Sequence, residues 1–307
     1  MNTTISFVLP VFRNAGSIYK SYERIVALAA KMQFDYEVMF VNDGSDDGSL
    51  EEILQTRASD PKVKALSFSR NFGQVAAIVA GFRAITGEAC VLMSADLQDP
   101  IEKVEEMINH WQNGTDMAIC YRADREDSTF ARMTSAFFYK LIKTALPKMP
   151  KGGFDFMLMD KKVVEVFNQL DERNRFFQGD ILWLGFNTTF IPYSRVKRTI
   201  GKSQWSFSKK LKYFIDGWLN TSYIPIRMMS LFGLVTALSG FLYALVIVYA
   251  RMVNKTPFSG FAPIMIVLLI IGGVIMLMLG IIGEYLWRTY DETRKRPLYI
   301  VDKKFGV

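Results

Sequence analysis

Residues 91–100 read Val-Leu-Met-Ser-Ala-Asp-Leu-Gln-Asp-Pro. An apolar run of strand type, Ala89 to Met93, ends abruptly in an acidic turn, Asp96 to Asp99. In an open parallel sheet the ligand crevice lies at the carboxyl ends of the strands. Oxygen ligands at such a point suit a hard divalent cation and the phosphates it accompanies. The plainer reading is a strand followed by a helix, with Asp99 as its cap and Pro100 as its first residue. A second apolar run, Tyr36 to Val41, ends in the turn Asn42-Asp43-Gly44-Ser45-Asp46-Asp47-Gly48. Asp43 and Asp96 are far apart in the chain, yet both follow strands and could face one ligand. Carboxylates repel bare phosphate but suit a base or ribose edge, or a metal that bridges to phosphate. A nucleoside diphosphate with Mg²⁺ or Mn²⁺ is the ligand this pattern argues for.

A third acidic candidate is Asp155, which follows Gly152 and Gly153 at the start of an apolar segment. It reads either as a cap or as an active-site carboxylate. The chain has one histidine, His110, so a zinc site built from several histidines cannot be formed. Cys90 and Cys120 fall inside apolar runs and read as buried thiols.

The elements that must position these groups alternate. Strands are expected at Ile5 to Val11, Tyr36 to Val41, Val63 to Phe68, Ala89 to Met93 and Met117 to Tyr121. Helical spacing separates them at Ser17 to Met32, Leu50 to Ala58, Val75 to Ile85 and Glu102 to Trp111. Strand and helix repeated in this way predict a mostly parallel, Rossmann-like α/β sheet with right-handed crossovers. Beyond Tyr121 the pattern changes. Amphipathic helices are expected at Phe137 to Leu146 and Lys209 to Leu219, either as core elements or docked on a membrane surface.

Half of the 307 residues are hydrophobic, unevenly spread. Met228 to Ala250 and Thr256 to Gly283 contain no charged residue. Each exceeds the roughly 20 apolar residues a membrane span requires. Basic residues flank the pair, with Lys209, Lys210, Lys212 and Arg227 before it and Arg288, Arg294, Lys295 and Arg296 after it. The positive-inside rule then puts both termini in the cytoplasm. The net charge of +7 gathers in the same region, where Arg195 to Lys212 is basic with Trp205 and Phe207 interleaved. That pattern reads as contact with an anionic leaflet, and nucleic-acid binding is not expected. The expected organisation is a catalytic domain over 1–194, a basic amphipathic segment over 195–227, a span over 228–250, an external loop over 251–262, a second span over 263–283, and a cytoplasmic basic tail over 284–307.

With these motifs in order, the chain resembles the family-2 GT-A glycosyltransferases that act on polyprenyl phosphates. These include dolichyl-phosphate mannose synthases and bacterial bactoprenyl glucosyltransferases. The residues that carry the likeness are Pro10 to Asn14, Val41 to Ser45, Arg70 to Gln74 with Ala77 and Gly81, Ala95 to Pro100, Asp155-Phe156 with Leu158 to Asp160, and Arg198 with Gly201 to Trp205. The resemblance implies that Pro10, Phe12, Asn14, Asp43, Ala95, Asp96 and Arg198 line the nucleotide-sugar site. It implies that Asp96 and Gln98 hold Mg²⁺ or Mn²⁺. Arg122, Arg132, Ser135 and Lys202 would receive the acceptor phosphate, and Asp155 would sit at the reacting centre. UDP-glucose is the donor that the likeness points to first, and undecaprenyl phosphate the acceptor if the source is bacterial. A homo-oligomer, a separate flippase and a downstream transferase are the expected partners. Three positions depart from the family pattern: Ser94 stands for an aspartate, Asn14 for a glutamate and Met157 for an arginine. The lost carboxylate at Ser94 leaves a catalytically impaired, nucleotide-sugar-binding membrane protein as one alternative. A processive polysaccharide synthase is the other, against which stands the absence of a Gln-x-x-Arg-Trp motif.

Overall fold

The computed structural model describes residues 3–122, 143, 146–150, 153–194, 224–253 and 262–307. They form two compact units, one built from residues up to 221 together with 297–307, the other from 222–296.

The first unit is built on an eight-stranded sheet. Strands β1 (Thr4–Val11), β2 (Asp35–Asn42), β3 (Val63–Phe68) and β4 (Ala89–Leu92) are mutually parallel and occupy its centre. They alternate with helices α1 (Ile18–Met32), α2 (Ser49–Ser59) and α3 (Gln74–Ala84). Helix α4 (Glu102–Gln112) leads to β5 (Met117–Arg122). The strand order is completed by β6 (Phe156–Asp160), β7 (Thr188–Tyr193) and β8 (Val301–Phe305), giving β7-β5-β6-β4-β1-β2-β3-β8.

The central strands are continuously apolar because both faces are covered. Phe7, Leu9, Val38 and Phe40 pack on one face with Ile18, Ile25 and Leu28 of α1 and Val104, Met107 and Ile108 of α4. Val8, Met39 and Val41 pack on the other with the small residues of α3, and with α5 (Lys161–Phe167) and α6 (Phe177–Trp183). Cys90 and Cys120 are free, buried thiols, one on each face.

Two strand placements lie outside the sequence reading. First, β4 and β5 are not neighbours. The segment after Asp155 forms β6 and inserts between them, antiparallel to both. Second, residues 301–305 form β8, antiparallel to β3 at the sheet's far edge. Tyr299 stacks on Phe68 there, with ring centroids 5.0 Å apart. The helix after the acidic turn starts at Glu102 with Ile101 at the N-cap position, so Asp99 does not cap it.

The second unit holds α7 (Ile224–Met252) and α8 (Ala262–Thr293). Within them, Ile226–Ala250 and Ile266–Thr293 are long and apolar enough to cross a membrane, with mean hydropathies of 2.3 and 2.9. Their Leu, Ile, Val and Phe side chains are largely exposed, unlike those of a soluble core helix.

Gly81 of α3 lies against β1, and a Cβ there would overlap Val8 Cγ1. Helix propensity alone favours Gly81→Ala by about 1 kcal/mol. Overpacking against the stiff Val8 side chain costs about 1–3 kcal/mol and outweighs that gain. The variant is therefore expected to melt below the parent in detergent-solubilised thermal unfolding, and a higher midpoint would refute this packing argument.

Candidate active site

Four parallel strands end on the same edge, and the loops that follow them carry the polar groups. After β1, Asn14 Oδ1 accepts the Phe12 N–H at 2.9 Å, and the Asn14 N–H donates to Ser49 Oγ at 3.0 Å. Arg13 makes a two-pronged ion pair with Asp46, both contacts at 2.7 Å. These bonds join the β1 loop, which carries Phe12 and Asn14, to the turn after β2. Pro10 is half-buried within β1, opposite Val41 of β2.

Asp43 is buried, 3% exposed, and both of its carboxylate oxygens are engaged. Oδ1 accepts the Phe72 N–H at 2.6 Å and Oδ2 the Gly73 N–H at 2.9 Å. Asp43 thus clamps the loop that follows β3. The approach is close because Gly44 takes a left-handed φ of +65°, and a Cβ there would lie 2.5 Å from the Arg70 carbonyl carbon. Burial pushes the Asp43 carboxyl up to about 6, although the two N–H donors and Arg70 pull the other way.

The turn after β4 is held from two sides. Ser17 Oγ, at the start of α1, donates to the Ala95 carbonyl at 2.7 Å, and Ser21 Oγ reaches the same oxygen at 3.4 Å. Asp99 is 1% exposed, and its Oδ2 accepts the Ser94 N–H at 2.8 Å. Asp96 Oδ1 accepts the Gln98 N–H at 3.2 Å, and Leu97 between them has φ +63°. Asp96 and Gln98 offer one carboxylate and one amide oxygen. No group of three or more His, Cys, Asp or Glu side chains able to hold a metal occurs among the described residues. This all-oxygen pair fits Mg²⁺ or Mn²⁺ as a partial shell that diphosphate oxygens and water would complete.

The insertion of β6 delivers Asp155. An antiparallel strand begins at the edge where its neighbours end, so Asp155 lies beside the last residue of β5. Arg122 Nη2 donates to Asp155 Oδ2 at 3.0 Å, with side chains 23% and 33% exposed. Gln178 Nε2 holds the preceding carbonyl, that of Phe154, at 2.6 Å. Burial opposes the Arg122 charge, but Asp155, Tyr193 and Asp99 outweigh it and hold the guanidinium above its ordinary value. Of the residues singled out from sequence, the structure places Pro10, Phe12, Asn14, Asp43, Ala95, Asp96, Gln98, Arg122 and Asp155 at or next to this edge. Arg132, Ser135, Arg198 and Lys202 lie outside the described residues. Sequence reasoning missed Ser17, Asp99 as a loop anchor, and Tyr193. The signal for Tyr193 was the β-branched and aromatic run Thr188 to Tyr193, which Pro192 restricts to a sheet edge.

This strand order, with acidic and cationic side chains gathered at the strand ends, is that of a GT-A glycosyltransferase. The mannosyl-3-phosphoglycerate synthase of Rubrobacter xylanophilus shares the fold, with a TM-score of 0.53 over 74% of each chain at 14% identity. The chain belongs to glycosyl transferase family 2, whose profile matches residues 6–167. It is 37% identical over 304 residues to an uncharacterized glycosyltransferase, YkcC, of Bacillus subtilis, covering 98% of this chain and 94% of that one. It is 36% identical to a prophage bactoprenol glucosyl transferase homolog of Escherichia coli K12, covering 97% and 98%.

The Asp43 clamp has a pH signature. Burial holds the carboxyl above its ordinary value in the clamped loop, so by linkage protonation favours the clamped loop over an opened, solvated one. Exchange protection of the Phe72 and Gly73 amides, corrected for intrinsic rates, is expected to rise as pH drops through about 6. Asp43→Asn is expected to abolish that step. Unchanged protection between pH 7 and 5 in the parent would refute the clamp.

Proposed function

We propose that this transferase moves a sugar, glucose first among candidates, from a nucleoside diphosphate sugar to a polyprenyl phosphate at the cytoplasmic face of a membrane. The observation that carries this reading is the Arg122–Asp155 pair on the same sheet edge as the oxygen-donor turn of Asp96 and Gln98. Relatives named as bactoprenol glucosyl transferases, matched over nearly the full chain, support the acceptor. The two exposed apolar helices support a membrane-bound enzyme. The chain leaves the α/β unit at 221 and rejoins it at 297, which supports an even number of crossings. With the basic flanks, this favours both termini on the cytoplasmic side.

The chemistry follows from charge. A phosphate monoester has a second pKa near 6 and is largely a dianion at neutral pH. Its oxygen needs little help from a general base. It needs alignment with the anomeric carbon and relief from repulsion by the donor diphosphate. The phosphate oxygen attacks the anomeric carbon while the bond to the β-phosphate oxygen breaks. The nucleoside diphosphate leaves with that electron pair, and the configuration inverts. Arg122 screens the incoming phosphate, and Asp155 orients the acceptor or the sugar beside it. Asp43 and the β1 loop shape the nucleotide pocket. Bound by Asp96 and Gln98, Mg²⁺ or Mn²⁺ would supply screening for the departing diphosphate. Transport of the product across the bilayer and its onward transfer fall to separate proteins.

Membranes containing the protein, incubated with labelled nucleotide sugars and Mn²⁺, are expected to place label in an organic-extractable, mild-acid-labile lipid. UDP-glucose is expected to give the strongest signal, and no labelled lipid from any donor would refute the reading. Asp155→Asn is expected to lower transfer by a factor of about 100 or more while donor affinity stays within about twofold. Wild-type-like turnover in that variant would remove Asp155 from the mechanism.

A further inference from the structure

Tyr193 ends β7 in register with Arg122 at the end of β5, so the two side chains leave adjacent strands at the same level. Tyr193 is 3% exposed, and its hydroxyl sits among three charged groups. It donates to Asp99 Oδ1 at 3.5 Å, and the Arg122 and Asp155 charges lie close to it. Its ring packs edge-on against Phe156, the residue after Asp155, at a centroid distance of 5.8 Å and an interplanar angle of 76°. Burial, then the Asp99 and Asp155 charges, raise its phenol above the ordinary range, so the hydroxyl keeps its proton.

We propose that Tyr193 is a positioning residue that joins the metal-side turn to the acceptor-side pair. The connection runs from the Ser94 N–H through Asp99 to the Tyr193 hydroxyl, crosses to Arg122 at the same level of the next strand, and ends at Asp155. The hydroxyl has one orientation that serves both neighbours, donating its hydrogen to the Asp99 carboxylate and accepting from the Arg122 guanidinium. Arg122 is then held at two points, and its remaining donors are directed at whatever lies over the sheet edge. Asp99, buried and away from the helix it was expected to cap, gains a role as the far anchor. The Phe156 contact fixes the ring, so removal of the hydroxyl alone leaves the packing in place.

The assignment of Arg122 to the acceptor phosphate rests on the proposed function, and the tests separate the two. In the first, full-length Tyr193→Phe is assayed in lipid nanodiscs with polyprenyl phosphate and nucleotide sugar varied independently. Loss of one hydrogen bond to a charged group is expected to lower kcat/KM for the acceptor about tenfold, with donor KM and thermal midpoint unchanged. In an Arg122→Lys background the same substitution is expected to have at most a twofold effect, because its target is already lost. Equal effects in both backgrounds, or a matching rise in donor KM, would overturn the proposal. Absence of glycolipid from the unmodified protein would instead count against the proposed function. The second test needs no activity. Phenylglyoxal labelling of Arg122, followed by mass spectrometry, is expected to run several-fold faster in Tyr193→Phe than in the parent. Equal rates would overturn the proposal whatever the reaction proves to be.

Discussion

A sheet covered on both faces leaves one kind of place for reactive groups, the ends of its strands. That constraint governs this protein. Its central strands are buried throughout, so a charged side chain in mid-strand must be fully paired, as Glu37 is by Ser6, Lys64 and Thr86. Function is pushed to the carboxyl edge, where loops can present carboxylates to solvent. Reversal of β6 then adds to that edge. A fifth parallel strand in its place would have carried Asp155 to the opposite end of the sheet, away from Arg122.

The loops themselves are not left to chance. Each is held by a bond from a different strand–helix unit. Asp43 holds the β3 loop, Ser17 of α1 holds the β4 turn, and Ser49 of α2 holds the β1 loop. Such cross-bracing fixes a site before ligand arrives, which limits the ordering that binding must impose. It also accounts for two of the buried carboxylates. Asp43 and Asp99 act on backbone N–H groups, and the conformations they hold, with Gly44 and Leu97 at positive φ, would otherwise relax.

The first five strands were legible in the sequence because each is an apolar run bounded by turn residues, and the helices between them carry clear 3.6-residue spacing. The acidic turns were legible for the same reason, since they interrupt those runs. What local pattern could not reveal was neighbourhood. Phe156 to Asp160 reads as another apolar run, and nothing in it states that it pairs antiparallel between β4 and β5. Asp99 before Pro100 has the residue types of a helix cap, but its side chain turns back to the Ser94 N–H within the same turn. Val301 to Phe305 has charged residues at its centre, as suits an edge strand, and therefore reads as tail. Tyr193 gains its meaning from Arg122 on a strand 71 positions earlier.

The β8 strand has a consequence for biosynthesis. Residues 301–305 follow both apolar helices in the chain and are therefore made after them. Until they emerge from the ribosome, the outer edge of β3 has no partner and Phe68 lacks the Tyr299 ring. Phe68 in turn packs edge-on against Phe72, whose N–H is held by Asp43. The loop after β3 therefore acquires its full support only after both apolar helices have been made. The order of synthesis thus delays completion of this sheet edge, and a chain cut before residue 301 carries an open strand edge.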